Sequence, residues 1–273
     1  MYPVLFHAGP LVVPSYGVLA ALGVLLALGL LLRTARLVHL NPNPLWNLCI
    51  IALFAALAGS RVLLLGLNWS VVRTHPAWLL GLAMIHHPLL AGVGMVFAVA
   101  VAVPYARKEG LPLCPTLDAL AAPLALALAC EEFGALLSGS GYGNETDVRW
   151  AVVYTSPFAM RWSGTPLFDP VHPVQAYLAL AFVVLCAGLF VSMGRMHRPG
   201  DIAGVFLGGA GAAIYFTEFF RDPEGRGSFF HGALDGPQLA SIVLVLCGAL
   251  LLFDRARAAA SPTEPDHFEV AHD

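Results

Sequence analysis

The chain has 273 residues, 58% of them apolar and 11% charged, with 14 Lys and Arg against 17 Asp and Glu and a mean hydropathy of +0.76. A soluble domain carries roughly 25% charged residues, so a soluble enzyme or binding domain is excluded, and so is a disordered chain. Five cysteines without a C-x-x-C or metal-ligand spacing exclude a disulfide scaffold, and a net charge of −3 offers nucleic acid no basic surface.

A bilayer-spanning helix needs about 20 predominantly apolar residues. Seven stretches qualify: 14–32, 46–65, 78–103, 118–137, 172–193, 202–220 and 238–253. The sequence therefore predicts an all-α integral membrane protein, a seven-helix bundle over residues 1–257. Residues 138–170 are an external loop region and 258–273 a polar, disordered tail. The first span lacks a basic leading region, and Arg33 and Arg36 follow it, so it is read as a helix and not as a signal peptide. Asn-Pro-Asn-Pro at 41–44 reads as a turn before the second span. Arg-Lys-Glu-Gly-Leu-Pro at 107–112 reads as a polar loop after the third. Asp118 reads as the N-cap of the fourth span. Arg-Pro-Gly-Asp at 198–201 stops the fifth span and caps the sixth through Asp201. Eight basic residues (Arg33, Arg36, Arg107, Lys108, Arg195, Arg198, Arg255, Arg257) fall on one side and five (Arg73, Arg149, Arg161, Arg221, Arg226) on the other. The positive-inside rule then puts the N-terminus outside and the C-terminus in the cytoplasm.

With that orientation the polar residues of the spans gather near the outer ends. They are Tyr16, Arg61, His86, His87, Glu131, Glu132, His172, Gln175, Glu218, Arg221 and Gln238. Ionisable groups at membrane depth are costly and usually face a bundle interior or a wet cavity, so one layer of them points to a shared site open to the outer leaflet. Each has a plainer reading. Glu218 and Arg221 are three apart and pair on one helix face. Tyr16 serves as an interfacial aromatic anchor, as do Trp46, Trp69 and Trp78. His86 and His87 precede Pro88 at a helix break. The glycines of Ser138-Gly-Ser-Gly-Tyr-Gly143 either form a tight turn or expose N–H groups to an anion.

In order along the chain, several segments resemble the prolipoprotein diacylglyceryl transferase family. They are Gly9-Pro-Leu-Val-Val-Pro-Ser-Tyr-Gly17, Ala58-Gly-Ser-Arg61, Asp118 with Ala122-Pro123, the glycine spacing from Gly134 to Gly143, His172-Pro-Val-Gln-Ala-Tyr177, Glu218-Phe-Phe-Arg221 and Gln238. The resemblance covers about residues 10 to 250. It implies a seven-helix fold in the bacterial cytoplasmic (inner) membrane. The implied reaction transfers diacylglyceryl from phosphatidylglycerol to the lipobox Cys thiol of a prolipoprotein, whose signal peptide is the protein partner, with release of glycerol phosphate. No cofactor and no metal is implied. Carried onto this chain, it puts Arg61, Arg221, Glu218, Gly139, Gly143, His172 and Gln175 at the lipid head group, with Glu132, Glu131 and Tyr16 as catalytic candidates.

Four positions depart from the family's pattern. Glu131-Glu132-Phe133-Gly134-Ala135 stands where the family has Gly-Arg-x-Gly-Asn, so Glu132 occupies an arginine position. Ile214 stands where the second arginine is expected, Gly92-Val93-Gly94 replaces a His-Gly-Gly, and Ser140 follows Gly139. The outer layer thus holds two arginines, Arg61 and Arg221, against Glu131, Glu132 and Glu218, a negative sum where a phosphate must bind. Two readings stand at this point. One is a transferase using Glu132 or Glu131 as general base. The other is a re-purposed paralogue that binds lipid or lipoprotein without turnover. A transporter fits less well, because no inverted repeat is visible.

Overall fold

The computed structural model describes residues 2–8, 11–74, 88–195, 198–222, 228–229 and 234–260. In chain order the elements are β1 Val4–Ala8, β2 Leu11–Pro14, α1 Ser15–Leu37, α2 Pro42–Leu67, α3 Trp69–Thr74, α4 Pro88–Lys108, α5 Leu113–Ser138, β3 Val152–Val153, α6 Pro157–Ser163, β4 Pro170–Val171, α7 Val174–Met193, α8 Asp201–Glu218, β5 Ser228–Phe229, β6 Leu234–Asp235 and α9 Gly236–Ala260. Among the described residues the strands pair as two-stranded antiparallel sheets, β1–β2, β3–β4 and β5–β6. Five helices (α1, α2, α5, α7 and α9 through Phe253) are long and apolar enough to cross a membrane. Two more, α4 and α8, run 21 and 18 residues.

The helices are inside-out relative to a soluble bundle. Leu25, Phe54, Val62, Met95, Val96, Leu180, Val184, Phe216, Leu246 and Leu250 are all exposed. So broad an apolar surface suits hydrocarbon and not water. The chain is an all-α, multi-pass membrane protein. Its centre is α5, which packs on α1, α7 and α8. The buried face of α5 is made of small residues: Ala119, Ala121, Ala122, Ala125, Ala129, Gly134 and Ala135. Lipid tails are as apolar as leucine, so helix association in a bilayer relies on close backbone approach, which small residues permit.

Helices α1, α2, α5 and α9 run longer than their hydropathy spans, for identifiable reasons. Arg33 and Arg36 lie inside α1, because arginine is a good helix former and its apolar stem tolerates a helix end. Asn-Pro-Asn-Pro begins α2 instead of forming a separate turn. Asn41 is the N-cap, accepting from Asn43 N at 3.1 Å, and Pro42 follows in the first turn. The third predicted span, 78–103, starts at Pro88 within the described residues, and its first ten positions, with His86 and His87, lie outside them. The predicted tail also lies outside them beyond Ala260, where α9 ends.

Asp118 is not the N-cap of its own helix. It sits five residues inside α5, fully buried, and its carboxylate accepts from Gly200 N and from Ala203 N, the latter at 2.8 Å. It therefore caps the neighbouring α8, whose first N–H groups lack intrahelical partners. Asp201 accepts instead from Arg198 N at 3.0 Å, closing the turn that precedes α8. At the other end of the bundle Asp235 and Gln238 cap α9 reciprocally. Gln238 N donates to Asp235 Oδ1 at 2.8 Å, and Asp235 N donates to Gln238 Oε1 at 3.2 Å.

Candidate active site

The site starts from the contact of α1 with α5. A Cβ added to Gly134 would lie 3.2 Å from Leu19 Cβ and 3.3 Å from Tyr16 Cα, and one on Gly23 only 2.7 Å from Cys130 Cβ. Thr34 Oγ1 donates across the same seam to Ala119 O at 2.7 Å. This register sets Tyr16 opposite the helical turn before Gly134, and Tyr16 Oη donates to Glu131 Oε1 at 2.7 Å. Tyr16 therefore does more than anchor α1 at an interface.

Glu132, the next residue, reaches a different partner. Arg221 follows the end of α8. Its Nη2 lies 3.8 Å from Glu132 Oε1, and its Nε lies 3.2 Å from Glu218 Oε1. The Glu218 side chain is 3% exposed, that of Arg221 11% and that of Glu132 14%. The i,i+3 pair expected from sequence exists, and Glu132 joins it. Nε faces Glu218 without hydrogen-bond geometry, and the remaining donors of the guanidinium fork are on Nη1 and Nη2.

The loop after α5 closes over this group. Gly139 ends the helix in the left-handed region (φ 89°), its N–H bonded to Ala135 O. Gly141 is also left-handed (φ 66°), and a Cβ there would lie 2.7 Å from Arg221 Nη1. The loop backbone thus passes directly beneath the guanidinium. Gly143 N donates to His172 O at 3.2 Å, and Asn144 N to Phe220 O at 2.9 Å, which ties the loop to both the start of α7 and the end of α8. The N–H groups of Gly139, Ser140 and Gly143 are consequently engaged with Ala135 O, Ser138 Oγ and His172 O. These glycines serve as a tight backbone brace and not as an open anion nest.

Gln175, fully buried at the start of α7, donates from Nε2 to Ser140 O at 2.8 Å. Its Oε1 has no hydrogen-bond partner among the described residues. His172 brings its ring over Phe220, with centroids 5.2 Å apart. Arg61 stands half-buried on α2, which packs on α1 and α4. Arg149 and Arg161 are exposed.

Sequence reasoning missed the loop's own core. Tyr154 and Thr165 are buried under the glycine turn. Tyr154 Oη donates to Leu136 O at 3.0 Å, and Thr165 Oγ1 to Gly139 O at 3.0 Å. Burial pushes the Tyr154 phenol up to about 12, with Gln175 pulling slightly the other way, so it stays a donor at neutral pH. Tyr177 was within a quoted motif, but nothing in the sequence tied it to Trp150, whose Nε1 donates to Tyr177 Oη at 2.7 Å.

The model of the family described as prolipoprotein diacylglyceryl transferase matches residues 3–253. The chain is 30% identical over 275 residues to a Brucella ovis protein named phosphatidylglycerol–prolipoprotein diacylglyceryl transferase, covering 94% of this chain and 93% of that one. A Brucella anthropi protein of the same name is 31% identical over 273 residues, with the same coverage. From Tyr16 in the first helix to Gln238 at the last, the resemblance seen in the sequence and these matches agree: the chain belongs to the prolipoprotein diacylglyceryl transferase family.

Proposed function

We propose that this protein transfers a diacylglyceryl group from phosphatidylglycerol to the lipobox cysteine thiol of a prolipoprotein, in the bacterial inner membrane. Membership of the family over residues 3–253 supports the reaction. The observation that carries the site is the junction of Tyr16, Glu131, Glu132, Glu218 and Arg221 at one end of the bundle. In this reading seven spans cross the bilayer, the N-terminus is outside, the carboxylate end faces the outer leaflet, and residues 1–257 are the membrane unit with 258–273 as its tail. The acceptor signal peptide and the donor lipid enter through the apolar helix faces.

The step balances as a displacement at carbon. The cysteine sulfur forms a C–S bond to the glyceryl carbon, the C–O bond to phosphate breaks, and glycerol phosphate leaves with the electron pair. The thiol proton goes to Glu132 or Glu131. Tyr16 orients Glu131 by donating to it. Arg221, with Arg61, holds the phosphate through charge-assisted bonds. Glu218 fixes Arg221, while Gly139, Gly143, His172 and Gln175 shape the head-group wall. Replacing Arg221 with Ala is expected to cut the rate by about 10²–10³-fold, the usual loss on removing one oxyanion donor.

The test is turnover. Purified membranes carrying the chain should release glycerol phosphate from labelled phosphatidylglycerol and put a thioether on a lipobox peptide. Lipid or lipoprotein that co-purifies while neither product forms would instead assign the chain as a binding paralogue.

A further inference from the structure

Trp150, Tyr177 and His172 form a hydrogen-bonded chain along the wall of the site. Trp150 Nε1 donates to Tyr177 Oη at 2.7 Å, and Tyr177 Oη lies 3.3 Å from His172 Nδ1. Phe220 braces both rings, with its centroid 5.2 Å from that of His172 and 6.3 Å, edge-on, from that of Tyr177. The backbone of His172 is pinned as well. Its N–H donates to Asn144 O at 2.9 Å and its carbonyl accepts from Gly143 N at 3.2 Å. Phe220 directly precedes Arg221, whose backbone bridges to Gly143, and the His172 and Arg221 side chains meet the same short loop: a Cβ on Gly143 would lie 2.6 Å from His172 Cβ and one on Gly141 2.7 Å from Arg221 Nη1.

A count of protons gives this chain a direction. Indole Nε1 can only donate, so Tyr177 Oη accepts there and keeps its own proton to give. The acceptor in reach is His172 Nδ1. A neutral imidazole that accepts at Nδ1 carries its proton on Nε2. No partner engages Nε2 among the described residues.

We propose that Trp150 and Tyr177 are positioning residues that hold His172 in its Nε2–H tautomer, so that Nε2 offers a proton to a phosphate oxygen bound beside Arg221. The naming of a phosphate oxygen rests on the transfer reading above. The tautomer does not.

The test uses the full chain in lipid nanodiscs with ¹⁵N-labelled histidine, at a pH where the ring is neutral. The His172 resonances are assigned by their loss in His172→Gln. Unaltered protein should show Nδ1 bare and Nε2 protonated. Tyr177→Phe keeps the ring against Phe220 but removes the hydroxyl. It should give a mixture of tautomers and lower kcat roughly ten-fold, a part of the 10²–10⁴ that a positioned proton donor supplies, with KM for phosphatidylglycerol within about two-fold. Trp150→Phe should move the same resonances in the same direction by less. In a His172→Gln background Tyr177→Phe should cost nothing more. A proton found on Nδ1, unmoved resonances in Tyr177→Phe, or a further ten-fold loss in the His172→Gln background each overturns the proposal. If the tautomers behave as expected and no form turns over phosphatidylglycerol, the transfer reading fails while the positioning role stands.

Discussion

Tyr16 and Glu131 show how a single contact changes a residue's meaning. At the end of a first span, a tyrosine after a serine is indistinguishable from an interfacial anchor. The 2.7 Å bond to Glu131 makes it the partner of a half-buried carboxylate. Tyr16→Phe keeps the ring and its packing, so the protein should fold normally, while the rate of thioether formation falls about ten-fold or more as Glu131 loses the hydroxyl that donates to it. A thermal melt alongside the rate assay separates the two effects. Gly141→Ala is a second test at this scale. The left-handed backbone costs a non-glycine residue about 1–2 kcal/mol, and its Cβ would meet Arg221 Nη1 at 2.7 Å. Thermal stability should drop modestly and affinity for phosphatidylglycerol more severely, because the guanidinium must move. A Gly141→Ala protein with unchanged lipid binding would show that Arg221 does not contact the donor.

At the scale of elements, one carboxylate and one apolar cluster tie the helices together. Asp118 of α5 caps α8 from across the interface. Asp118→Ala leaves N–H groups without a partner at a buried helix start and should lower stability by about 1–3 kcal/mol. Asp118→Asn, which keeps an acceptor, should lose less, and detergent-solubilised melting temperatures would rank the two. Ile214 lies one turn before Glu218 on α8 and packs on Ala129, Leu178, Phe182 and Ala210. Ala129 is itself one turn before Glu132 on α5, so arginine at 214 and at 132 would face the same carboxylates. With Glu131 left as the base, the double variant Glu132→Arg, Ile214→Arg should gain glycerol phosphate release per folded molecule, although it puts charge into an apolar cluster; a loss would instead assign the base to Glu132. A well-folded double variant with no gain would mean that the sign of these positions does not limit the reaction.

At the scale of the whole molecule, the proposed orientation puts the two ends of the bundle in different compartments. In a cysteine-free background, a cysteine at Asn144 in the loop over the site should react with a membrane-impermeant maleimide in intact cells. One at Glu109, between α4 and α5, should react only after lysis. The reverse pattern would invert the bundle and move the site to the cytoplasmic face.

The sequence by itself determined the class of the protein and most of its helices. Too few charges for a water-facing surface and long apolar runs have one physical outcome, helices that satisfy their own backbone in lipid. It also marked the candidate residues of the site, because an ionisable group inside a hydrophobic run is conspicuous wherever it points. Only the tertiary structure decided partners. Hydropathy carries no information about which helix faces which, so it could not tell that Asp118 serves α8 rather than α5. Nor could it tell that Glu132, the apparent loss of a family arginine, lies 3.8 Å from Arg221. The glycines from Gly139 to Gly143 signalled an unusual turn in either view. That their N–H groups brace the loop, with Arg221 resting on Gly141, depended on segments far apart in the chain meeting at one end of the bundle.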